Sequence, residues 1–139
     1  MAAEGGHEST VKMLLQQEDV DVNSTDNNGR TPLSFAAEGG HTSTVEMLLQ
    51  QEKVDVNSTD GNGQTPLLFA VQHGHESIVK MLLHQEEATV NSTNYYGQTP
   101  LSIAAMYGHK SIVKMIIQKV DAKMGTSSSM SCGVEKKGA

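Results

Sequence analysis

A period of 34 residues organises this chain. Two short motifs recur at that spacing: Thr-Pro-Leu at residues 31–33, 65–67 and 99–101, and Gly-His at residues 6–7, 40–41, 74–75 and 108–109. Self-similarity at a fixed period of this size indicates a stacked array of small units, in which each unit contacts only its neighbours.

The unit at residues 60–93 predicts how a first helix is built. Thr65 is expected to be the N-cap and Pro66 the first helical residue, because proline lacks only an N–H group that a helix leaves unpaired there. The helix is expected to stop at Gly74, which suits a left-handed C-terminal conformation. Its inward side is predicted to carry small and branched apolar side chains: Leu67, Ala70 and Val71.

A second helix is predicted from about Glu76 to Gln85, followed by an extended finger that turns tightly at residues 94–97. Neither helix reaches the roughly 12–15 residues needed for stability alone in water, so each unit must bury its apolar side on its neighbours. The apolar stripe of the second helix follows the helical period: Ile78, Val79, Leu82 and Leu83.

These motifs resemble the ankyrin repeat over about residues 2–119. The matching pattern is Asp-x-x-Gly-x-Thr-Pro-Leu-x-x-Ala-x-x-x-Gly-His-x-x-x-Val-x-x-Leu-Leu, ending in Val-Asp-Val-Asn. The tetratricopeptide repeat has the same length but lacks the Thr-Pro-Leu start and the Val-Asn finger. The resemblance implies an all-α-dominated solenoid of helix-turn-helix units with extended hairpin fingers.

Two departures from the ankyrin pattern are visible. The histidine that usually follows Thr-Pro-Leu is replaced by Ser34, Leu68 and Ser102. The usual Gly-Ala between the second helix and the finger is one residue longer, as in Glu18-Asp19-Val20. This longer variant resembles repeats that are frequent in large fungal ankyrin proteins.

The array is predicted to span residues 1–123, with a partial first unit and three helix pairs at about 31–51, 65–85 and 99–119. Residues 124–139, rich in serine, glycine and lysine, are predicted to be a disordered tail. Because the last helix is as apolar as the internal copies, neither end is expected to carry a polar cap. The sequence therefore suggests a segment of a longer array, or the end of one with a poorly matched terminus.

Composition excludes several classes of function. The net charge of −6 and pI of about 5.4 argue against nucleic-acid binding, which needs clustered Lys and Arg. The single cysteine, Cys132, excludes an intrachain disulfide and suits a reducing compartment. No apolar run is long enough for a membrane span or a signal-peptide core. The sequence predicts an intracellular, cytoplasmic protein without membrane contact.

No residue pattern predicts catalysis, a cofactor, a metal or a small-molecule substrate. Four histidines share one position before the second helices, and equivalent positions lie about one repeat apart, too far to share a metal ion. They are predicted to be turn histidines that hydrogen-bond the backbone: His7, His41, His75 and His109.

The finger asparagines Asn23, Asn57 and Asn91 each begin an N-glycosylation pattern, but nothing in the sequence supplies a secretory route. The family resemblance implies a second possibility, because finger asparagines of ankyrin repeats can be hydroxylated, and Asn23 and Asn57 match that position. The simplest interpretation is that these asparagines are structural residues of the finger.

The resemblance implies a concave surface of fingers and first helices that binds another protein. Recognition is expected where the copies differ, and all three tyrosines fall in the last Thr-Pro-Leu unit. Tyrosine is common among the residues that dominate interface energy, so Tyr95, Tyr96, Tyr107 and Met106 are predicted to form the main contact cluster. The remaining candidates are Gln98, Gln64, Gln72, His73, Arg30 and Glu38, with Asn27, Asn28, Gly61 and Asn62 nearby.

Two other interpretations stay open. The array could be the regulatory or sensor arm of a larger enzyme or nucleotide-binding signalling protein, of which this chain is a fragment. Alternatively, the near-identical stretches 2–35 and 36–69 could reflect a recent duplication without a selected partner.

Overall fold

The computed structural model describes residue 13 and residues 21–85 and 88–124. The described chain contains six α-helices and no strand, arranged as three consecutive pairs: α1 (Pro32–Gly39), α2 (Thr42–Leu49), α3 (Pro66–Gln72), α4 (Glu76–Leu83), α5 (Pro100–Met106) and α6 (Lys110–Met124). The predicted partial unit before residue 21 and the predicted tail after residue 124 lie outside these described ranges.

The first helix of each pair begins as the sequence predicts. A threonine is the N-cap and a proline is the first helical residue in α1, α3 and α5. In α3 the Thr65 hydroxyl accepts a hydrogen bond from the N–H of Leu68 at 3.2 Å. That bond satisfies one of the donors that a helix start leaves unpaired. Each first helix is followed within two residues by a glycine with positive φ, such as Gly74 at 70°.

The second helices differ in length. α2 and α4 have eight residues each, so α4 ends at Leu83, two residues before the predicted end. α6 has 15 residues and continues to Met124, beyond the predicted end at Lys119. α2 is followed by Val-Asn at residues 56–57, and α4 is followed by Val-Asn at residues 90–91. At the equivalent positions 124–125 the chain has Met-Gly, without the β-branched residue or the turn-forming asparagine.

The core is a ribbon between stacked units. First helices pack on first helices (α1 on α3, α3 on α5), and second helices pack on second helices (α2 on α4, α4 on α6). The predicted inward residues of α3 and the predicted stripe of α4 are all buried, and Leu68 and Phe69 are buried with them. Small alanines such as Ala36 and Ala70, both fully buried, permit the close approach of neighbouring helices.

Polar side chains also join one unit to the next. The imidazole Nε2 of His75 donates to the carbonyl of Glu38 at 3.0 Å, and Nε2 of His109 donates to the carbonyl of Gln72 at 3.4 Å. The prediction of a turn histidine that bonds the backbone is confirmed for both, and the carbonyl belongs to the preceding unit. The side chain of Asn23 likewise bonds the main chain of the next unit, at Lys53 and Asp55.

The far side of the third pair is not covered by other described residues. Leu101 of α5 is 38% exposed, whereas its counterpart Leu67 in α3 is 3% exposed. Ile117 of α6 is 44% exposed, whereas its counterpart Leu83 in α4 is 6% exposed. Two positions that are buried by stacking in the second pair are therefore exposed in the third pair, among the residues that the structure describes.

Candidate functional site

Each finger is closed by the side chain that begins its turn: Asp26, Asp60 or Asn94. In the first finger, Oδ1 of Asp26 accepts hydrogen bonds from the N–H groups of Asn28 at 2.8 Å and Arg30 at 3.0 Å. The same two bonds recur in the second and third fingers. This geometry presents the two residues after the closing side chain at the tip, which are residues 27–28, 61–62 and 95–96.

The charge state of Asp26 follows from this turn. The hydrogen bond from the Arg30 N–H lowers the pKa of the Asp26 carboxyl below its usual value of 3.8, since it favours the ionised form. The Asn28 N–H and the positive charge of Arg30 lower this pKa as well, while partial loss of hydration opposes them. Asp26 therefore stays ionised at neutral pH.

Main-chain hydrogen bonds hold the finger tips side by side. The N–H of Gly61 donates to the carbonyl of Asn28 at 2.9 Å, and the N–H of Tyr95 donates to the carbonyl of Asn62 at 2.9 Å. Each tip is thus fixed relative to the tip before it. Because these bonds use the backbone, the side chains at the tips remain available to a partner.

Arg30 and Glu38 form an ion pair across the first unit, between the end of the finger and the end of α1. The Arg30 guanidinium lies between the rings of Phe35 and Phe69, at 4.3 and 4.7 Å from their centroids. Such cation–π contacts hold a planar guanidinium in one orientation. The other Glu38 oxygen, Oε2, lies 3.8 Å from Nε2 of His73. Three predicted site residues are thus brought together by contacts with one another.

The side chains equivalent to Arg30 and Glu38 pair in the second unit but not in the third. In the second unit the Gln64 amide donates to the Gln72 side-chain oxygen at 3.3 Å. In the third unit the partner position is Met106, which cannot accept a comparable bond. The Gln98 side-chain oxygen instead accepts from the Asn94 amide at 2.8 Å. The side chains are paired across the first two units and unpaired across the third.

Large apolar groups are exposed on this third unit. Tyr95, Tyr96, Met106 and Tyr107 are between 50% and 76% exposed. The Tyr95 ring lies over the preceding finger, where a Cβ added at Gly63 would come within 2.9 Å of its Cδ1. The Tyr107 ring stacks on His109, with centroids 6.1 Å apart.

The four residues of the predicted contact cluster lie in two places. Tyr95 and Tyr96 are at the finger tip, and Met106 and Tyr107 are at the end of α5. Across the described residues, no ring contact joins the tyrosines of the tip to Tyr107. We call the two places together the aromatic patch of the third unit.

The sequence interpretation missed the role of Phe35 and Phe69. The repeat pattern places both in a first helix but has no signal for their contact with Arg30, because the second unit keeps Phe69 while it has Gln64 in place of the arginine.

The part of the chain that the structure describes contains no group of three His, Cys, Asp or Glu side chains able to hold a metal ion. No helix among these residues is long and apolar enough to cross a membrane.

A family model of known proteins matches the chain. The family described as ankyrin repeats (3 copies) matches residues 1–94 and 52–128, which together cover most of the chain. No curated protein matches the chain. The likeness of the longer connecting segments to fungal repeats is not addressed by this match and stays a prediction.

Proposed function

The chain belongs to the ankyrin-repeat family, whose repeats are generally protein–protein interaction modules and typically non-catalytic, and on that premise we propose that it binds another protein through its fingers and first helices. The surface of these segments includes residues 26–39, 60–73 and 94–107. We call it the finger–helix face. It binds by complementarity of shape and chemistry, without a cofactor and without a reaction.

The observation that carries the proposal is the exposed aromatic patch. Tyr95, Tyr96, Met106 and Tyr107 are at least half exposed, although each is large enough to gain from burial. Tyrosines are frequent hot-spot residues because they combine a large contact area with a hydroxyl group and a low entropy cost. An exposed set of such residues on a fixed backbone favours an interface.

The first two units of the finger–helix face are expected to contribute less binding energy than the third unit. The pairs Arg30–Glu38 and Gln64–Gln72 already satisfy each other, so a partner would gain little from replacing their bonds. The third unit has no such pair. We therefore assign most of the binding free energy to the third unit. The first two units are assigned the role of orienting the partner.

The test is affinity capture from a lysate of the source organism. The bait is the full chain, compared with a variant carrying Tyr95→Ala, Tyr96→Ala and Tyr107→Ala. A matched control carries Glu46→Ala, His84→Ala and Lys114→Ala, which alter three exposed side chains on the second helices. Circular dichroism establishes that all three proteins remain helical.

A protein retained by the wild type and the control, and lost by the folded tyrosine variant, is the expected result. Equal capture by all three would contradict the assignment to the aromatic patch. Capture of no specific protein would favour the array as an arm of a larger enzyme or signalling protein. Sequencing the gene on both sides of the coding segment would then test that alternative.

A further inference from the structure

A cleft opens between the first two fingers, the end of α1 and the middle of α3. Its volume is about 920 Å³, and its walls include Asn28, Arg30, Glu38, Asp60, Phe69 and Tyr95. Because Tyr95 belongs to the aromatic patch, the cleft and the patch are continuous. We call this space the finger cleft.

The Arg30 guanidinium, which lines the finger cleft, already has partners within the protein. Arg30 is paired with Glu38 and held between two phenylalanine rings. The cleft has a second carboxylate, Asp60, whose Oδ1 accepts two N–H groups of its own finger. The walls of the cleft thus include two carboxylates and one guanidinium, which leaves an excess of one negative charge.

The same asymmetry extends over the whole face. The finger–helix face, residues 26–39, 60–73 and 94–107, has three carboxylates (Asp26, Glu38 and Asp60) and one lysine or arginine, Arg30. The second-helix segments, residues 42–53, 76–85 and 110–121, have four carboxylates (Glu46, Glu52, Glu76 and Asp121) and five lysines (Lys53, Lys80, Lys110, Lys114 and Lys119). The described lysines therefore all lie outside the finger–helix face, and the face keeps a net charge of −2 from three carboxylates and one arginine.

Tyr95 adds an aromatic ring beside the negatively charged finger cleft. Its side chain is 76% exposed, and it borders the cleft that also contains Glu38 and Asp60. The face of a tyrosine ring attracts a cation, and a nearby carboxylate supplies a charge-assisted hydrogen bond. The combination suits a lysine or arginine side chain that enters from solvent.

We infer that the partner protein inserts a lysine or arginine side chain into the finger cleft and places an apolar residue beside it on the aromatic patch. This inference rests on the proposed function, because it names the chemistry of the partner at that same face. A partner surface that is acidic at this place would be repelled, since like charges across an interface are costly.

A library of short random peptides displayed on phage tests the composition of the partner. The full chain is the bait, and the variant with Tyr95→Ala, Tyr96→Ala and Tyr107→Ala is used to remove peptides that bind elsewhere. The expected result is enrichment of peptides in which lysine or arginine lies next to an aromatic or aliphatic residue.

Two further measurements locate the contact. Replacing the lysine or arginine of an enriched peptide with glutamine should weaken binding about tenfold, without any change to the protein. Glu38→Gln and Asp60→Asn keep a hydrogen-bond acceptor while removing the charge, and each should weaken binding of the unmodified peptide several-fold. Glu46→Gln removes the same charge from the exposed side of α2 and should leave the affinity unchanged.

Each other outcome is decisive. Peptides that need the three tyrosines but show no enrichment of basic residues would overturn the inference and leave the proposed function standing. Enriched basic peptides that bind Glu38→Gln, Asp60→Asn and Glu46→Gln equally well would overturn the assignment to the cleft. Absence of any peptide that prefers the wild type over the tyrosine variant would count against both.

Discussion

The imidazole of His75 donates a hydrogen bond from Nε2 to the main-chain carbonyl of Glu38 at 3.0 Å, and so joins the start of α4 to the end of α1. The acceptor lies near the C-terminal end of α1, where the last carbonyls of a helix have no partner within the helix. One side chain therefore satisfies a helix end in the preceding unit. The carboxylate of the same residue, Glu38, pairs with Arg30 on the finger–helix face.

His75→Ala should lower the free energy of unfolding by about 1–2 kcal/mol, because it removes this bond and leaves the carbonyl less well satisfied. Urea denaturation measures the change. His84→Ala is the control, since His84 is exposed on the outer side of the array and should change stability by less than about 0.5 kcal/mol. Equal effects of the two variants would show that the bond between units contributes nothing.

Gly74 is constrained in two ways. Its φ is +70°, and a Cβ at this position would lie 2.8 Å from Cε1 of His109 in the next unit. Gly108 has a φ of +72° but no atom within 4 Å of the same added Cβ. Gly108→Ala should cost only the left-handed backbone term of about 1–2 kcal/mol, and Gly74→Ala should cost about 1 kcal/mol more.

Thermal or urea unfolding of the two glycine variants gives this difference directly. Both variants have the cost of an alanine at positive φ, and only Gly74→Ala also brings a Cβ close to the next unit. The difference between them therefore measures the cost of that close approach. If Gly74→Ala were no more destabilising than Gly108→Ala, His109 would have to move without cost.

Thr44 is fully buried, and its hydroxyl has no hydrogen-bond partner among the residues that the structure describes. The equivalent positions in the following units are Ile78 and Ile112, both also fully buried. Thr44→Val keeps the branched shape and removes the unsatisfied hydroxyl, so it should raise the free energy of unfolding by about 1 kcal/mol. The same replacement at the exposed Thr42 should not stabilise the protein.

The lowered pKa of Asp26 makes a prediction in acid. The carboxyl has a lower pKa in the folded state than its ordinary value of 3.8, so its contribution is complete above that value and is lost as the pH falls below it. Asp26→Asn keeps an acceptor for the finger but cannot titrate. The variant should therefore lose stability less steeply than the wild type below about pH 4. Parallel unfolding curves over that range would contradict the prediction.

A substitution at Met106 tests whether the missing side-chain pair of the third unit favours binding. Met106→Gln would rebuild in the third unit the pair that Gln64 and Gln72 make in the second, while removing exposed apolar area. Affinity for the captured partner should fall by about fivefold, with unfolding free energy changed by less than about 0.5 kcal/mol. Ile117→Gln, which removes an exposed apolar side chain from α6, should leave the affinity intact.

The sequence was sufficient to predict the helix pairs, because capping and stacking act through residue types that recur every 34 positions. Thr65, Pro66 and the buried stripe of α4 behave as predicted for that reason. The end of α6 was less predictable, since helix termination depends on the residues that replace Val-Asn at 124–125, and their effect is weak and local.

The pairing across each unit was harder to predict. Arg30 and Glu38 are eight residues apart, so neither helical nor strand spacing joins them, and only the folded finger brings them together. The same holds for the acceptor of His75, which is 37 residues away in the preceding unit. Contacts of this kind depend on how one unit sits on the next rather than on the pattern within a unit.

The exposed positions Leu101 and Ile117 also affect how easily single units of the array unfold locally. In a solenoid the free energy needed to open one unit is the sum of its own stability and its interfaces, and a unit with one neighbour has one interface fewer. Among the described residues the second pair packs on a neighbour at both sides, whereas the third pair packs on one and exposes Leu101 and Ile117. The third pair also holds the aromatic patch, so a partner bound there would add contacts to a unit with fewer described interfaces, and its apparent affinity would include the cost of ordering that unit.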